Sequence, residues 1–242
     1  MNLIIDVGNT LIKFAVFQGD TLLEKQSVTN RNALKSAKKI IKKYPLVKKA
    51  IVSSVGTLEK ILFDFINEKL ELLVLNSDAK LPFKNMYQTP YTLGVDRIAL
   101  VAASVKQYPS SNVLIIDAGT CITYDFITSD NAYLGGAISP GIRLRYQTLN
   151  NLTANLPLLD TEMPEQLIGN STSSSIHSGV VFGILMEIDG VVDEYQDKYE
   201  DLTVILTGGD ANFLSKQLKN GIFANSNFLL EGLNFILEFN SH

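Results

Sequence analysis

The sequence predicts an α/β protein built from two related halves. Three observations lead there. Short apolar strands alternate with helix-period segments along the whole chain. A strand-and-turn motif near the start returns in the second half. Over 242 residues, 46% hydrophobic and 19% charged residues suit one large domain or two small ones, not a disordered chain.

The opening reads as strands. Leu3-Ile4-Ile5 is a buried run, Lys13 to Phe17 alternates in part, Gly19-Asp20 is a hairpin turn and Thr21 to Val28 returns. A helix is expected over 32–44, stopped by Pro45. A strand at Ala50–Val52, a helix over 58–69 and a strand at 72–75 follow. Residues 76–93, with Pro82 and Pro90, read as a loop, and 95–106 as a helix. The pattern then restarts with strands at 113–117, 122–127 and 132–138 and a helix over 142–151. After a loop over 152–170 come a long helix over 174–195, a strand at 203–206, a Gly208-Gly209 turn, a short helix, and a last helix over 227–239. The expected division is 1–108 and 109–242.

The repeat carries the first functional signal. Asn2-Leu-Ile-Ile-Asp-Val-Gly-Asn-Thr10 aligns with Val113-Leu-Ile-Ile-Asp-Ala-Gly-Thr120. Both read as apolar strand, Asp, small residue, Gly, then a hydroxyl or amide. Such a turn frees backbone N–H groups that can point at a phosphate. A carboxylate beside a polyphosphate repels it unless a cation lies between, so Asp6 and Asp117 imply metal-assisted nucleotide binding. Lys13, on the next strand, can reach the phosphates as a point charge. Neither Gly-x-x-x-x-Gly-Lys nor Gly-x-Gly-x-x-Gly is present.

Paired Asp-x-Gly turns on duplicated halves resemble the actin, sugar-kinase and Hsp70 ATPase superfamily, whose ribonuclease H-like halves hold a nucleotide cleft between them. More closely, Asp6-Val-Gly-Asn-Thr-Leu-Ile-Lys13, Gly94-Val-Asp-Arg97, Ile116-Asp-Ala-Gly-Thr120 and Ser139-Pro-Gly-Ile142, in that order, resemble type III pantothenate kinase. The resemblance implies transfer of a phosphoryl group from ATP to the terminal hydroxyl of pantothenate, the first step toward coenzyme A. It implies that Asp6, Val7, Gly8, Asn9, Thr10, Leu11, Ile12 and Lys13 hold the ATP phosphates, with Mg²⁺ at Asp6, and that Thr120 contacts ATP. It implies that Tyr87, Gly94, Val95, Asp96 and Arg97 line the pantothenate site, with Asp96 as proton acceptor. It assigns Thr172 to the acceptor, although Ser171-Thr-Ser-Ser-Ser175 offers several hydroxyls. It implies K⁺ or NH₄⁺ at Asp117, and a homodimer, which the apolar stretch Val180–Ile188 suits. The alternatives are a kinase for another small hydroxylated acceptor and a non-catalytic nucleotide-binding regulator of the same fold.

Composition narrows the rest. With one cysteine, Cys121, an intramolecular disulfide or a cysteine-based zinc site is excluded by count, and with only His177 and His242 histidine-metal chemistry is not expected. His177 is expected to pack or cap, and Arg143 and Arg145 to lie at the surface. The net charge of -4 hides an asymmetry: residues 1–49 carry +7 and residues 50–242 carry -11. The lysines of the basic segment alternate with Leu34, Ala37, Ile41 and Tyr44 at helical spacing, which reads as a solvated helix face rather than a nucleic-acid surface. No apolar run approaches the roughly 18 residues of a bilayer span, and the first six residues lack a signal peptide's basic start. A cytoplasmic protein binding neither membrane nor nucleic acid is the expectation.

Overall fold

A computed structural model describes residues 1–8, 11–54 and 59–241. Strands β1 (Asn2–Val7) and β2 (Ile12–Gln18) form an antiparallel hairpin, and β3 (Thr21–Val28) extends it. Helix α1 (Asn30–Lys43) carries the chain to β4 (Lys49–Ser54), parallel to β1. Helix α2 (Lys60–Lys69) leads to β5 (Glu71–Val74), parallel to β4. The sheet order is β3-β2-β1-β4-β5. Buried Ala33, Ala37 and Ile40, with partly buried Leu34, Ile41 and Tyr44, pack α1 against Leu3, Ile5 and Val7, which leaves its lysines on the outer face.

The expected loop over 76–93 contains a two-residue strand β6 (Lys84–Asn85) and a 3₁₀ turn at Pro90–Thr92. Helix α3 (Val95–Gln107) follows and is buried continuously from Arg97 to Ser104. No amphipathic stripe survives there, because the last helix, α8 (Phe228–Phe239), packs against α3 and also meets β1 and β4.

The second half repeats the plan. Strand β7 (Asn112–Ala118) pairs antiparallel with β8 (Cys121–Ile127), and β9 (Ala132–Pro140) lies beyond β8. Helices α4 (Ile142–Asn151), α5 (Thr172–His177) and α6 (Gly183–Lys198) precede β10 (Leu202–Thr207), which runs parallel to β7. A short α7 (Ala211–Leu214) leads to β11 (Phe223–Ala224), parallel to β10. The order β9-β8-β7-β10-β11 reproduces that of the first sheet strand for strand. The two residues of β6 pair with Ala132 and Tyr133 at the start of β9.

Two compact units result. The first comprises Met1–Pro109, Asn131–Tyr133 and Asn227–His242, and the second Ser110–Asp130 and Leu134–Ser226. Helix α8 is thus grouped with the first unit, apart from the residues that precede it in the chain.

The long helix expected over 174–195 runs from Thr172 to Lys198, with a π-helical stretch at Ser178–Phe182 between α5 and α6. By length and composition this helix could cross a bilayer, which corrects the expectation that no segment reaches that length. Its Val180, Val181, Ile184, Leu185, Ile188 and Val192 are buried in the core of the second unit, against Tyr124, Phe126 and Leu206.

Candidate active site

In the first unit, strand register sets the geometry. Asp6, next to last in β1, pairs with Lys13 on β2 and with Ser53 on β4. Lys13 Nζ donates to Asp6 Oδ2 at 3.3 Å. Asp6 is buried, at 6% exposure, while the Lys13 side chain is 43% exposed. Burial pushes the Asp6 carboxyl above the ordinary carboxylate value, Lys13 pulls it back, and the Asp96 charge pushes it up again. The rise shows that desolvation outweighs the one half-exposed lysine.

The turn between the strands closes with Gly8 N–H donating to Leu11 O at 3.1 Å. Val7 and Ile12 are buried in the core, so only their backbone can face a ligand. Leu11 is exposed. Asn9 and Thr10 lie outside the described residues.

Helix α3 supplies the second half of this cluster. Gly94 is its N-cap and Asp96 lies in its first turn. Asp96 Oδ1 accepts from the Arg97 backbone N–H at 2.9 Å, and a side chain at position 94 would collide with that carboxylate. Arg97 is buried at 5% exposure, not a surface residue. Its guanidinium lies 5.5 Å from the centre of the Tyr87 ring. Tyr87 in turn stacks on Tyr133 at 6.1 Å. One unit therefore gathers Asp6, Lys13, Tyr87, Gly94, Val95, Asp96 and Arg97.

The second unit holds Asp117, Thr120 and Thr172. Asp117 pairs with Thr123 on β8 and Thr207 on β10, so hydroxyls flank it where Lys13 and Ser53 flank Asp6. The β7–β8 turn is clasped by two glycines. A Cβ at Gly141 would strike the carbonyls of Gly119 and Thr120, and Gly141 N–H donates to Thr120 O at 3.0 Å. Gly208, at φ +97°, lies against Ala118 O and the Asp117 carboxylate with no room for a side chain. The Ser139-Pro-Gly-Ile142 and Thr207-Gly-Gly-Asp210 motifs thus shape the same turn, a link that spacing alone did not reveal.

Thr172 is the first residue of α5, but Ser171 is the cap: Ser171 Oγ accepts from Ser174 N–H at 3.2 Å, in a capping box with the Ser174 hydroxyl. Thr172 is left to line a cavity of about 950 Å³, with Pro140, Arg145, Ser171, Ile176 and Val180 among its walls. Arg145, expected at the surface, is only 20% exposed and pairs with Glu187. It also donates to Pro140 O at 2.9 Å and to Ser139 Oγ at 3.0 Å. Burial alone would raise the Glu187 carboxyl, but hydrogen bonds from Arg145, Tyr124 and Ser139 outweigh it and hold it below the ordinary value. Arg143 is 44% exposed, and His177 packs on Tyr146, whose hydroxyl lies 2.8 Å from Nδ1.

No cluster of three or more His, Cys, Asp or Glu side chains suited to a metal occurs among the described residues. A protein cage is therefore absent from them. One or two carboxylates completed by phosphate oxygens and water, the coordination Mg²⁺ favours, fit what is present at Asp6 and Asp96.

The chain is similar to known proteins in sequence and in fold. The family described as type III pantothenate kinase matches residues 2–194. A type III pantothenate kinase of Christiangramia forsetii is 57% identical over 240 residues, 99% of each chain. One of Flavobacterium johnsoniae is 53% identical over 234 residues, 96% of each chain. Among solved structures, a protein described as a Baf-family transcriptional activator from Campylobacter jejuni superposes with a TM-score of 0.62 at 22% identity, over 98% of each chain. A glucokinase from an Antarctic psychrotroph does so at 0.55 and 12% identity, over 98% of each chain. These last likenesses are of fold: the duplicated ribonuclease H-like fold of the actin-like ATPases.

Proposed function

The chain belongs to the type III pantothenate kinase family, and from that premise we propose how its residues carry the reaction. It is an ATP-dependent kinase that phosphorylates pantothenate, the entry to coenzyme A synthesis, with a divalent metal. In our reading the metal is Mg²⁺ and Asp6 its protein ligand. When bound there, it neutralises phosphate charge that Asp6 and Asp96 would otherwise repel. Lys13 and the turn between β1 and β2 hold the phosphates, a role the reading extends to Asn9 and Thr10, and Thr120 contacts ATP. Asp117 takes a monovalent cation, K⁺ or NH₄⁺, with the Thr123 and Thr207 hydroxyls adjacent. Tyr87, Gly94, Val95 and Arg97 receive pantothenate, the Arg97 guanidinium donating to the pantothenate carboxylate, and Thr172 is a further acceptor contact.

Asp96 is the proposed proton acceptor. A primary alcohol does not ionise at neutral pH, so a carboxylate must orient it and take its proton as the new O–P bond forms. Phosphoryl transfer loses that proton late, so position counts as much as basicity. The single observation that carries the reading is that one unit holds Asp6 at the end of β1, paired with Lys13, and Asp96 in the first turn of α3 behind Gly94. The proton acceptor and the metal ligand thus share one unit.

The test is ADP release with and without pantothenate, beside a panel of other hydroxylated acceptors. Release that depends on pantothenate supports the reading. Nucleotide binding with no transfer to any acceptor would favour a regulator, although the Baf-family neighbour, at 22% identity, speaks only to fold.

We also propose a homodimer. The apolar residues of the long helix are consumed by its own core, which leaves exposed Met186, with Gly179 and Gly190, for a partner. Light scattering at about 27 kDa, the mass of one 26.7 kDa chain, would contradict it. We place the enzyme in the cytoplasm, where ATP and pantothenate meet, with no membrane or nucleic acid among its partners.

A further inference from the structure

We infer that Ser53 is a positioning residue for the Asp6 carboxylate in the metal–nucleotide complex. The inference rests on the reading that Asp6 receives the divalent cation.

Strands β1 and β4 run parallel, and Asp6 stands opposite Ser53. Leu3, Ile5 and Val7, with their neighbours Ala50 and Val52, fill the core beneath α1 and α2. Side chains alternate along a strand, so Asp6 and Ser53 share the opposite face, the one that meets α3 and α8. Asp6, Ser53 and the start of α3 therefore converge on one side of the sheet.

Ser53 is fully buried, at 0% exposure. Its hydroxyl has no hydrogen-bond partner among the described residues. A buried hydroxyl left unmade lowers stability, and interiors hold few of them. Alanine would fit the same space without that cost. Beside it, Asp6 takes a hydrogen bond from Lys13 at 3.3 Å, long for a charge-assisted contact. A carboxylate can accept about four hydrogen bonds. Metal-binding carboxylates are themselves held by an outer hydrogen bond.

The two features complete each other. With the cation held at Asp6, the Ser53 O–H would donate to the carboxylate and fix its rotamer. The Ser53 hydroxyl is thus held for the loaded state.

The experiment compares wild type, Ser53→Ala, Ser53→Thr and Asp6→Asn by thermal unfolding, without ligand and with ATP over a Mg²⁺ titration. In Ser53→Ala the unliganded protein should melt at or above the wild-type temperature. The Mg²⁺ concentration giving half the nucleotide-induced shift should rise about 10–100-fold. Ser53→Thr, which keeps the hydroxyl, should restore the wild-type titration, and KM for pantothenate should not move in either. A wild-type Mg²⁺ titration in Ser53→Ala overturns the inference. So does a lowered melting temperature with an unchanged titration, which would make the hydroxyl structural. Asp6→Asn separates the levels. If it shifts the titration and Ser53→Ala does not, only the Ser53 inference fails; if Asp6→Asn titrates as wild type, the metal reading of Asp6 fails with it.

Discussion

The two hairpins at the head of each unit are copies that have diverged in charge. Both carry Asp at the end of a central strand, an antiparallel partner on one side and a parallel one on the other. The second turn is one residue tighter, since Ala118 pairs with Ile122 where Val7 pairs with Ile12. Opposite Asp6 stands Lys13; opposite Asp117 stands Thr123. The first copy is thus a charged site beside a second carboxylate, Asp96. The second is a carboxylate among hydroxyls, on a backbone wedged by Gly141 and Gly208. Duplication supplied one scaffold, and single residues on neighbouring strands set two electrostatic characters upon it.

The largest expected effect falls on the charged copy. Asp96→Asn keeps the shape and helix-start role of Asp but removes the proposed base, so kcat should fall roughly 10²–10⁴-fold. ATP binding and melting temperature should stay near wild type. Retained turnover in steady-state assays would deprive the first unit of its acid–base role.

Asp6→Asn comes next. Affinity for metal–ATP should fall by about 10²-fold. The same change should raise the melting temperature of the unliganded protein. Burial raises the Asp6 pKa, so the ionised form costs stability, and that cost grows as pH rises from 3.8 through the folded value. Calorimetry near pH 7 reads it directly. A destabilised Asn variant would mean that the Lys13 pair outweighs desolvation.

The second copy should break through its backbone. Gly208→Ala places a Cβ against Ala118 O and the Asp117 carboxylate, at φ +97°. A cost of about 2–4 kcal/mol by denaturant unfolding follows from strain and overlap together. A neutral substitution would show that this turn yields where the account holds it rigid.

The smallest effect concerns Glu187. Its folded pKa lies below the ordinary 4.5, so its contribution is complete above that value and fades as pH falls through the folded one. Arg145→Ala should cost about 1–2 kcal/mol at neutral pH and flatten the loss of stability on acidification. Melting curves between about pH 3 and 7 would read both. An unchanged acid slope would free Glu187 of its dependence on Arg145.

Much of this was legible in the residues. Leu3-Ile4-Ile5-Asp6 and its copy at 114–117 announced both hairpins, because a buried strand must be apolar until its last turn-facing residue. Asp6 and Lys13 could be paired by counting across a tight turn. What stayed hidden needed contacts far apart in sequence. Helix α8 joins the first unit because it packs on α3, and no local pattern encodes that. Strands β6 and β11, of two residues each, are too short to show alternation. Arg145 looked like a surface cation because its partner, Glu187, is 42 residues away. Ser53 carried no motif; only its register opposite Asp6 marks it.

The divergence of the two copies is tested most directly by assaying Asp6→Asn and Asp117→Asn for both cations. ATP carries about four negative charges, and each like-charge pair at 4 Å is worth roughly 4 kcal/mol at an effective dielectric of 20, so two cation sites are reasonable. Wild-type turnover should rise when K⁺ or NH₄⁺ replaces a bulky organic cation at constant ionic strength. Asp117→Asn should abolish that rise and keep its Mg²⁺ dependence, while Asp6→Asn should weaken the Mg²⁺ dependence and keep the response to K⁺. Identical rates of the wild type in both salts, or both variants losing both responses alike, would contradict the division of labour between the two copies.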